Sequence, residues 1–252
     1  MAQFKHYLDY LRFVDIVTAQ RRFIHPEFVS KFLEAIEDSN VRYTRRFEAG
    51  QVLWRAQLGC DCRPTVDVTD VEVIEERPIP YERGRMIPEA KHVREGGRAN
   101  PPNIPYLYLS ADRETAMAEV RPSLNQYISV ARFQLVRDCS IIDVGDEKAP
   151  PRKDNPENWT PEQRETLTWI MISDTFQRPI VPEELPVGYI PTQVLAEKFL
   201  SLGFAGIRFR SAMRPGGVNF VLFDQSSVEC SEIELYKTEQ IHFVHSQVKP
   251  SV

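Results

Sequence analysis

The stretch GRANPPNIPYLYLSADRETAMAEVR, from Gly97 to Arg121, changes its hydrophobic period half-way along. In PYLYLS the residues alternate, placing Tyr106, Tyr108 and Ser110 on one face of a strand and Leu107 and Leu109 on the face toward the core. Asp112 then suits a helix cap, because its carboxylate can accept a backbone N–H of the first turn, and the helix is expected to run through Glu119. A strand that feeds straight into a helix thus delivers a phenol and a carboxylate from adjoining elements. Arg98 stands ten residues before Tyr108, and Glu119 eleven after it.

Elements on either side follow from similar signals. Residues 1–48 read as helical: Pro26 fits a first helical turn, and Phe28, Phe32, Leu33 and Ile36 keep the helical period up to Asn40. The main domain, 49–252, is expected to open with a strand in QVLWRAQ, Gln51 to Gln57. Its first part carries a proline-rich insertion near 59–97, where regular structure beyond short strands is not expected and where a lid is one established use of such loops. Strands are expected in YISVARFQLV (Tyr127 to Val136) and SIIDV (Ser140 to Val144), with a solvated loop from Gly145 to Asn158. Thr160-Pro161 should start one helix, and Thr192 and Gly203 should bound another. GIRFRS, VNFVLFD and SEIELYKTEQIHFV complete the chain as strands, with RPGG, Arg214 to Gly217, as a hairpin turn. Strands at both ends with helices between them describe an α+β domain with a mixed or antiparallel sheet.

Composition narrows the function. The chain has 252 residues, 42% of them hydrophobic, enough for a core without disulfides. Its formal net charge of -5 argues against direct nucleic-acid binding, which calls for an excess of Lys and Arg. No run of about 18 apolar residues is present, and the N-terminus lacks a secretory apolar segment, so no membrane association and a cytoplasmic location are expected. Cys60-Asp61-Cys62 has no second close pair, and Cys139 and Cys230 stand alone; reduced thiols in a loop are expected, with no metal. His6, His25, His92, His242 and His245 share no evident partner. No GxGxxG follows a strand, which disfavours a Rossmann-type cofactor site.

In order, LWRAQ, GRANPPNIPYLYLSADRETAMAEVR and GFAGIRFRSAMRPGGVNFVLF resemble the RES domain, named for arginine, glutamate and serine and found in toxins of bacterial toxin–antitoxin pairs. The likeness runs from Ala49 to Phe223. It implies an ADP-ribosyltransferase-like sheet core with flanking helices, to which the helical N-terminus is an addition. It further implies an enzyme that takes NAD as substrate, with no cofactor, and splits off nicotinamide as a glycohydrolase or phosphorylase. Other outcomes are transfer of ADP-ribose to a macromolecule, or a regulatory module that binds NAD without turnover. A helix-turn-helix antitoxin of the Xre type is the implied partner, and a homodimer is the default assembly. Carried onto this chain, the pattern makes Arg98, Tyr108 and Glu119 catalytic candidates, and Arg55, Ser211 and Asn219 substrate-binding ones.

The chemistry fits those residue types. NAD carries two phosphates, for which Arg55 and Arg98 offer planar donor forks. Breaking the nicotinamide–ribose bond builds positive charge on the ribose, which an ionised Glu119 can face while it accepts a ribose hydroxyl. The Tyr108 ring can stack on nicotinamide, a part Tyr106 could equally fill. Ser211 and Asn219 would orient the substrate through hydrogen bonds. Taken singly, each has a plainer reading: Arg98 in a surface ion pair, Tyr108 in the core, Glu119 paired with Arg121, Ser211 and Asn219 at a turn and a strand end. Arg208, Arg210 and Arg214 form a further small basic group.

Overall fold

The structure is a computed structural model that describes residues 2–66, 74–145, 156–179, 187–242, 245 and 247. The chain opens with α1 (Asp9–Asp15), a π-turn over Ile16–Gln20 and α2 (Glu27–Ser39), with Pro26 at the N-cap of α2 one residue outside the helix. A 3-10 turn, Asn40–Tyr43, then leads into β1 (Thr44–Phe47). The helical segment therefore stops short of residue 48. Its last residues pair antiparallel with β7 (Cys139–Asp143), and Phe47 is buried in stacking contact with Phe220, 5.0 Å between centroids.

β2 (Val52–Leu58) matches the expected strand closely. The insertion holds a two-stranded ribbon, β3 (Asp61–Val66) and β4 (Ile74–Ile79), followed by the short helix α3 (Arg83–Met86). Pro64 and Pro78 sit inside these strands, which a ribbon tolerates because each of its strands has an outer edge. Cys62 is thus on a strand rather than in a loop, and all four cysteines are free. Next come β5 (Leu107–Ser110), α4 (Arg113–Glu119) and β6 (Tyr127–Leu135). Residues 146–155 of the expected solvated loop lie outside the described residues.

α5 (Pro161–Gln177) starts as its sequence dictates: Thr160 accepts from the Gln163 N–H at 3.3 Å, and the Gln163 side chain accepts from the Thr160 N–H at 3.0 Å. α6 (Ile190–Ser201) begins earlier than expected, with Tyr189 at its N-cap and Pro191 in its first turn, so Thr192 is already helical. The helix ends before Gly203, whose φ of 85° suits the left-handed residue past a C-terminus. β8 (Gly206–Arg210) and β9 (Val218–Leu222) form a hairpin over the RPGG turn, and β10 (Val228–Lys237) begins three residues before the expected strand.

These strands build one eight-stranded sheet in the order β1-β7-β8-β9-β5-β2-β6-β10. Only β7 and β8 run parallel; every other neighbouring pair is antiparallel, giving the α+β class with flanking helices. The N-terminal helices do not stand apart from the sheet. Phe13, Phe32 and Ile36 share a core with Trp169, Phe199 and Ile207, joining α1, α2, α5, α6 and β8 in one apolar cluster. Leu107, Leu109, Phe133, Leu222, Tyr81 and Met86 form a second cluster that draws in the insertion. β5 is consequently enclosed on both faces, and Tyr106 lies against Phe223, 4.9 Å between centroids, rather than toward solvent. No helix of the described residues is long and apolar enough to cross a membrane.

Trp169 ties the N-terminal layer to the sheet: it is fully buried, stacks on Tyr43 at 3.9 Å, and donates its indole N–H to Ser39 at 3.0 Å. Trp169→Ala is expected to lose about 3–5 kcal/mol of stability, read from the shift of a denaturant midpoint at unchanged slope. A loss below about 1 kcal/mol would show the layer to be a mere appendage.

Candidate active site

β2 and β5 are neighbours in the sheet yet share a single register pair, Trp54 with Ser110. β2 otherwise follows β6 along its length, and β5 follows β9. The two strands splay apart, and backbone groups facing the gap need partners other than the ladder. Arg55 supplies one of them, its Nη1 donating to the Tyr108 carbonyl at 3.0 Å. The Arg55 Nε is buried with no partner, and no acid pairs with this guanidinium among the described residues. Burial pushes its pKa down to about 10. An enclosed cation with a spare donor and no counter-ion suits an anion.

Tyr108 projects from the other side of the gap. Its hydroxyl accepts from the Ala99 N–H at 2.8 Å and donates to the Asn100 side-chain oxygen at 2.7 Å. Burial, the largest effect on it, lifts the phenol far above its ordinary range, so it stays protonated. The hydroxyl is occupied in holding the turn that carries Arg98, leaving the ring to meet a ligand. That turn leaves no room at Gly97, where a Cβ would stand 2.8 Å from the Tyr108 hydroxyl and 2.7 Å from Asn100 Oδ1. Arg98 itself has its guanidinium carbon 5.2 Å from the centre of the Phe209 ring and no acidic partner among the described residues.

Glu119 stands at the last position of α4 and makes no ion pair with Arg121, which is exposed. Its Oε1 accepts from the Ser211 hydroxyl at 2.6 Å and from the Asn219 amide at 2.7 Å. Ser211 in turn accepts the backbone N–H groups of Met213 and Arg214, each at 3.1 Å, and Asn219 Oδ1 accepts from the Ser110 hydroxyl at 2.8 Å. Those partners fix the amide so that its NH2 faces the carboxylate. Oε2 has no partner among the described residues. The other end of α4 is tied to the same hairpin: Arg214 donates to Asp112 at 2.7 Å while Asp112 caps the helix through Thr115 at 2.8 Å. Burial raises the Asp112 carboxyl, but the bonds from Thr115 and the Arg214 charge outweigh it and hold the group below its usual value.

These residues meet around a cleft of about 1230 Å³. Arg55, Arg98, Tyr108, Glu119 and Asn219 all line it; Ser211 does not. Ser211 and Asn219, expected to orient a ligand, both donate to Glu119, being buried within reach of that oxygen, and Asn219 also borders the cleft. Tyr106 is absent from the wall, which leaves Tyr108 as the aromatic candidate. Of the basic group, Arg208 is held by both oxygens of Asp143 at 2.8 and 2.9 Å and Arg214 by Asp112, and neither reaches the cleft. Wall residues not foreseen include Tyr81 and Arg85 of the insertion, Tyr189 and Phe209. The only sequence signal for the first two is the use of long loops as lids.

A family model described as RES domain matches residues 81–244, more than half of the chain. The chain belongs to the RES domain family. The match begins at Tyr81 and takes in Arg98, Tyr108, Glu119, Ser211 and Asn219, whereas Arg55 precedes it and joins the site by geometry alone. Among solved structures, a chain of the M. tuberculosis MbcT–MbcA toxin–antitoxin complex is similar to this RES protein at 14% identity and a TM-score of 0.42, covering 77% of this chain and 87% of that one. A comparison with curated proteins gives no match.

The isolated Arg55 charge should cost stability. Its folded-state pKa lies below the ordinary arginine value, so the cost is full below pH 10 and fades as pH rises past it. Arg55→Met removes that cost but also the donor to the Tyr108 carbonyl, so the expected signature is in the pH dependence: relative to the native chain the variant should lose stability as pH rises above 10, in thermal unfolding across pH. A stability difference that stays constant above pH 10 would contradict this. Gly97→Ala is expected to displace the Tyr108 hydroxyl, seen as faster amide exchange at Ala99.

Proposed function

We propose that this RES domain binds NAD in the cleft and cleaves the bond between nicotinamide and ribose, as a NAD-degrading, toxin-like enzyme. The observation that carries the reading is the combination, around one cavity, of two guanidinium groups without acidic partners among the described residues and a carboxylate with one oxygen anchored and the other without a partner among them. The cavity is large enough for an extended dinucleotide.

Arg55 and Arg98 hold the pyrophosphate. The Tyr108 ring packs on nicotinamide and keeps it turned away from the plane that favours reattachment. Glu119 accepts the ribose 2′-hydroxyl through Oε2 and lies beside C1′. As the C1′–N bond breaks, its electron pair leaves with neutral nicotinamide, and the ribose becomes an oxocarbenium ion whose charge the carboxylate offsets. Water or inorganic phosphate then forms the new C1′–O bond, with a proton passing to solvent in the case of water. Ser211 and Asn219 act through Glu119, fixing its rotamer before the charge develops. A helix-turn-helix antitoxin of the Xre type would inhibit by bringing acidic or hydrogen-bonding groups to Arg55 and Arg98.

The test mixes the purified protein with NAD, with and without phosphate, and follows nicotinamide release. Free ADP-ribose is expected with water as acceptor, and ADP-ribose bearing a new phosphate at C1″ with phosphate. Glu119→Gln should lower kcat by about 100-fold or more, and Ser211→Ala by about tenfold, with KM little changed. NAD that survives the unaltered protein, or full turnover by Glu119→Gln, would overturn the proposal; ADP-ribose joined to a macromolecule would replace it with a transferase.

A further inference from the structure

The turn Gly97–Asn100 has no regular structure, yet it carries Arg98 into the cleft. α6 lies behind it. The Gln193 amide donates to the Gly97 carbonyl at 2.9 Å and to the Asn100 carbonyl at 3.1 Å. Thr192, fully buried, places its hydroxyl 2.5 Å from the Arg98 carbonyl. Two consecutive helix residues therefore satisfy three of the four carbonyls in the turn. The turn closes on itself through the Gly97 N–H and the Asn100 carbonyl at 2.7 Å, and Tyr108 holds the Ala99 N–H and the Asn100 side chain from the front.

With the backbone bound on both sides, the Arg98 guanidinium is the part of the turn left for a ligand. A guanidinium on an untied turn would lose backbone and side-chain freedom on meeting an anion; here most of the backbone part is already lost on folding. We infer that Gln193, assisted by Thr192, is a positioning residue that presents Arg98 to the anionic part of the ligand. This rests on the reading of the cleft as a dinucleotide site. Only an amide serves at 193: Glu has the same shape but no donor, and would turn an oxygen on two carbonyls.

The experiment uses the full chain, with Gln193→Ala and Gln193→Glu made in the native and Arg98→Ala backgrounds, and Thr192→Ser as the conservative control. ADP-ribose affinity is measured by calorimetry, NAD turnover by nicotinamide release, and amide exchange over residues 96–104 by mass spectrometry. Both Gln193 variants are expected to weaken ADP-ribose binding and raise KM by about tenfold with kcat within about threefold, and to add nothing once Arg98 is Ala. Exchange over 96–104 should quicken in both, while Thr192→Ser should behave as the native chain. The inference is overturned if Gln193→Glu, which preserves volume, leaves exchange and affinity unchanged, or if the loss persists undiminished without Arg98. Should the native protein not bind ADP-ribose at all, the dinucleotide reading fails, and the exchange measurement alone decides whether Gln193 holds the turn.

Discussion

One guanidinium spans the place where the sheet comes apart. Because β2 and β5 share one register pair, the Tyr108 carbonyl looks into a gap rather than at a ladder partner, and Arg55 fills that gap with a side-chain donor. The same splay that creates the cleft thus draws a cation into it. A chain built for stability alone would close the strands or place an acid beside Arg55, since an isolated enclosed charge is costly. The cost is met elsewhere, by an extensive core in which Leu53, Leu107, Phe133 and Leu222 are fully buried. The cleft is thus a locally costly feature inside a well-packed domain.

The second constraint is the fixing of one carboxylate. Glu119 sits at the C-terminal end of α4, where the helix dipole disfavours negative charge. Two hydrogen bonds to Oε1 counter that tendency, and each donor is itself oriented by further bonds, Ser211 by two backbone N–H groups and Asn219 by Ser110. Asp112 and Arg214 hold the opposite end of the helix to the same hairpin. β8, β9, β5 and α4 are thereby tied together around the Glu119 carboxylate, whose orientation is fixed by these bonds.

How much of this was legible in the sequence follows from which signals are local. The alternation in PYLYLS, the Asp112 cap, the Thr160-Pro161 helix start and the RPGG turn all depend on near neighbours, and each appears where its residues require. The RES resemblance groups Arg98, Tyr108 and Glu119 without any knowledge of the sheet, and the three line one cleft. What sequence could not show is long-range. That Thr192 faces the Arg98 carbonyl instead of capping α6, that the second face of β5 is covered, and that Thr44–Phe47 pairs with Cys139–Ile142 depend on contacts about 90 residues apart or more. That Ser211 lies outside the cleft while Asn219 lines it, and that both donate to Glu119, is likewise long-range, because sequence order does not say which side chain faces a cavity and which faces its neighbour.

In the proposed function a dinucleotide lies along the cleft with its pyrophosphate between Arg55 and Arg98 and a ribose against residue 119. A crystal structure of the Glu119→Gln protein with NAD examines this most directly. Phosphate oxygens within hydrogen-bonding distance of both guanidinium groups, and the nicotinamide ring against Tyr108, are the expected result. NAD bound outside the cleft, or lying in it with its phosphates turned away from both arginines, would contradict the claim.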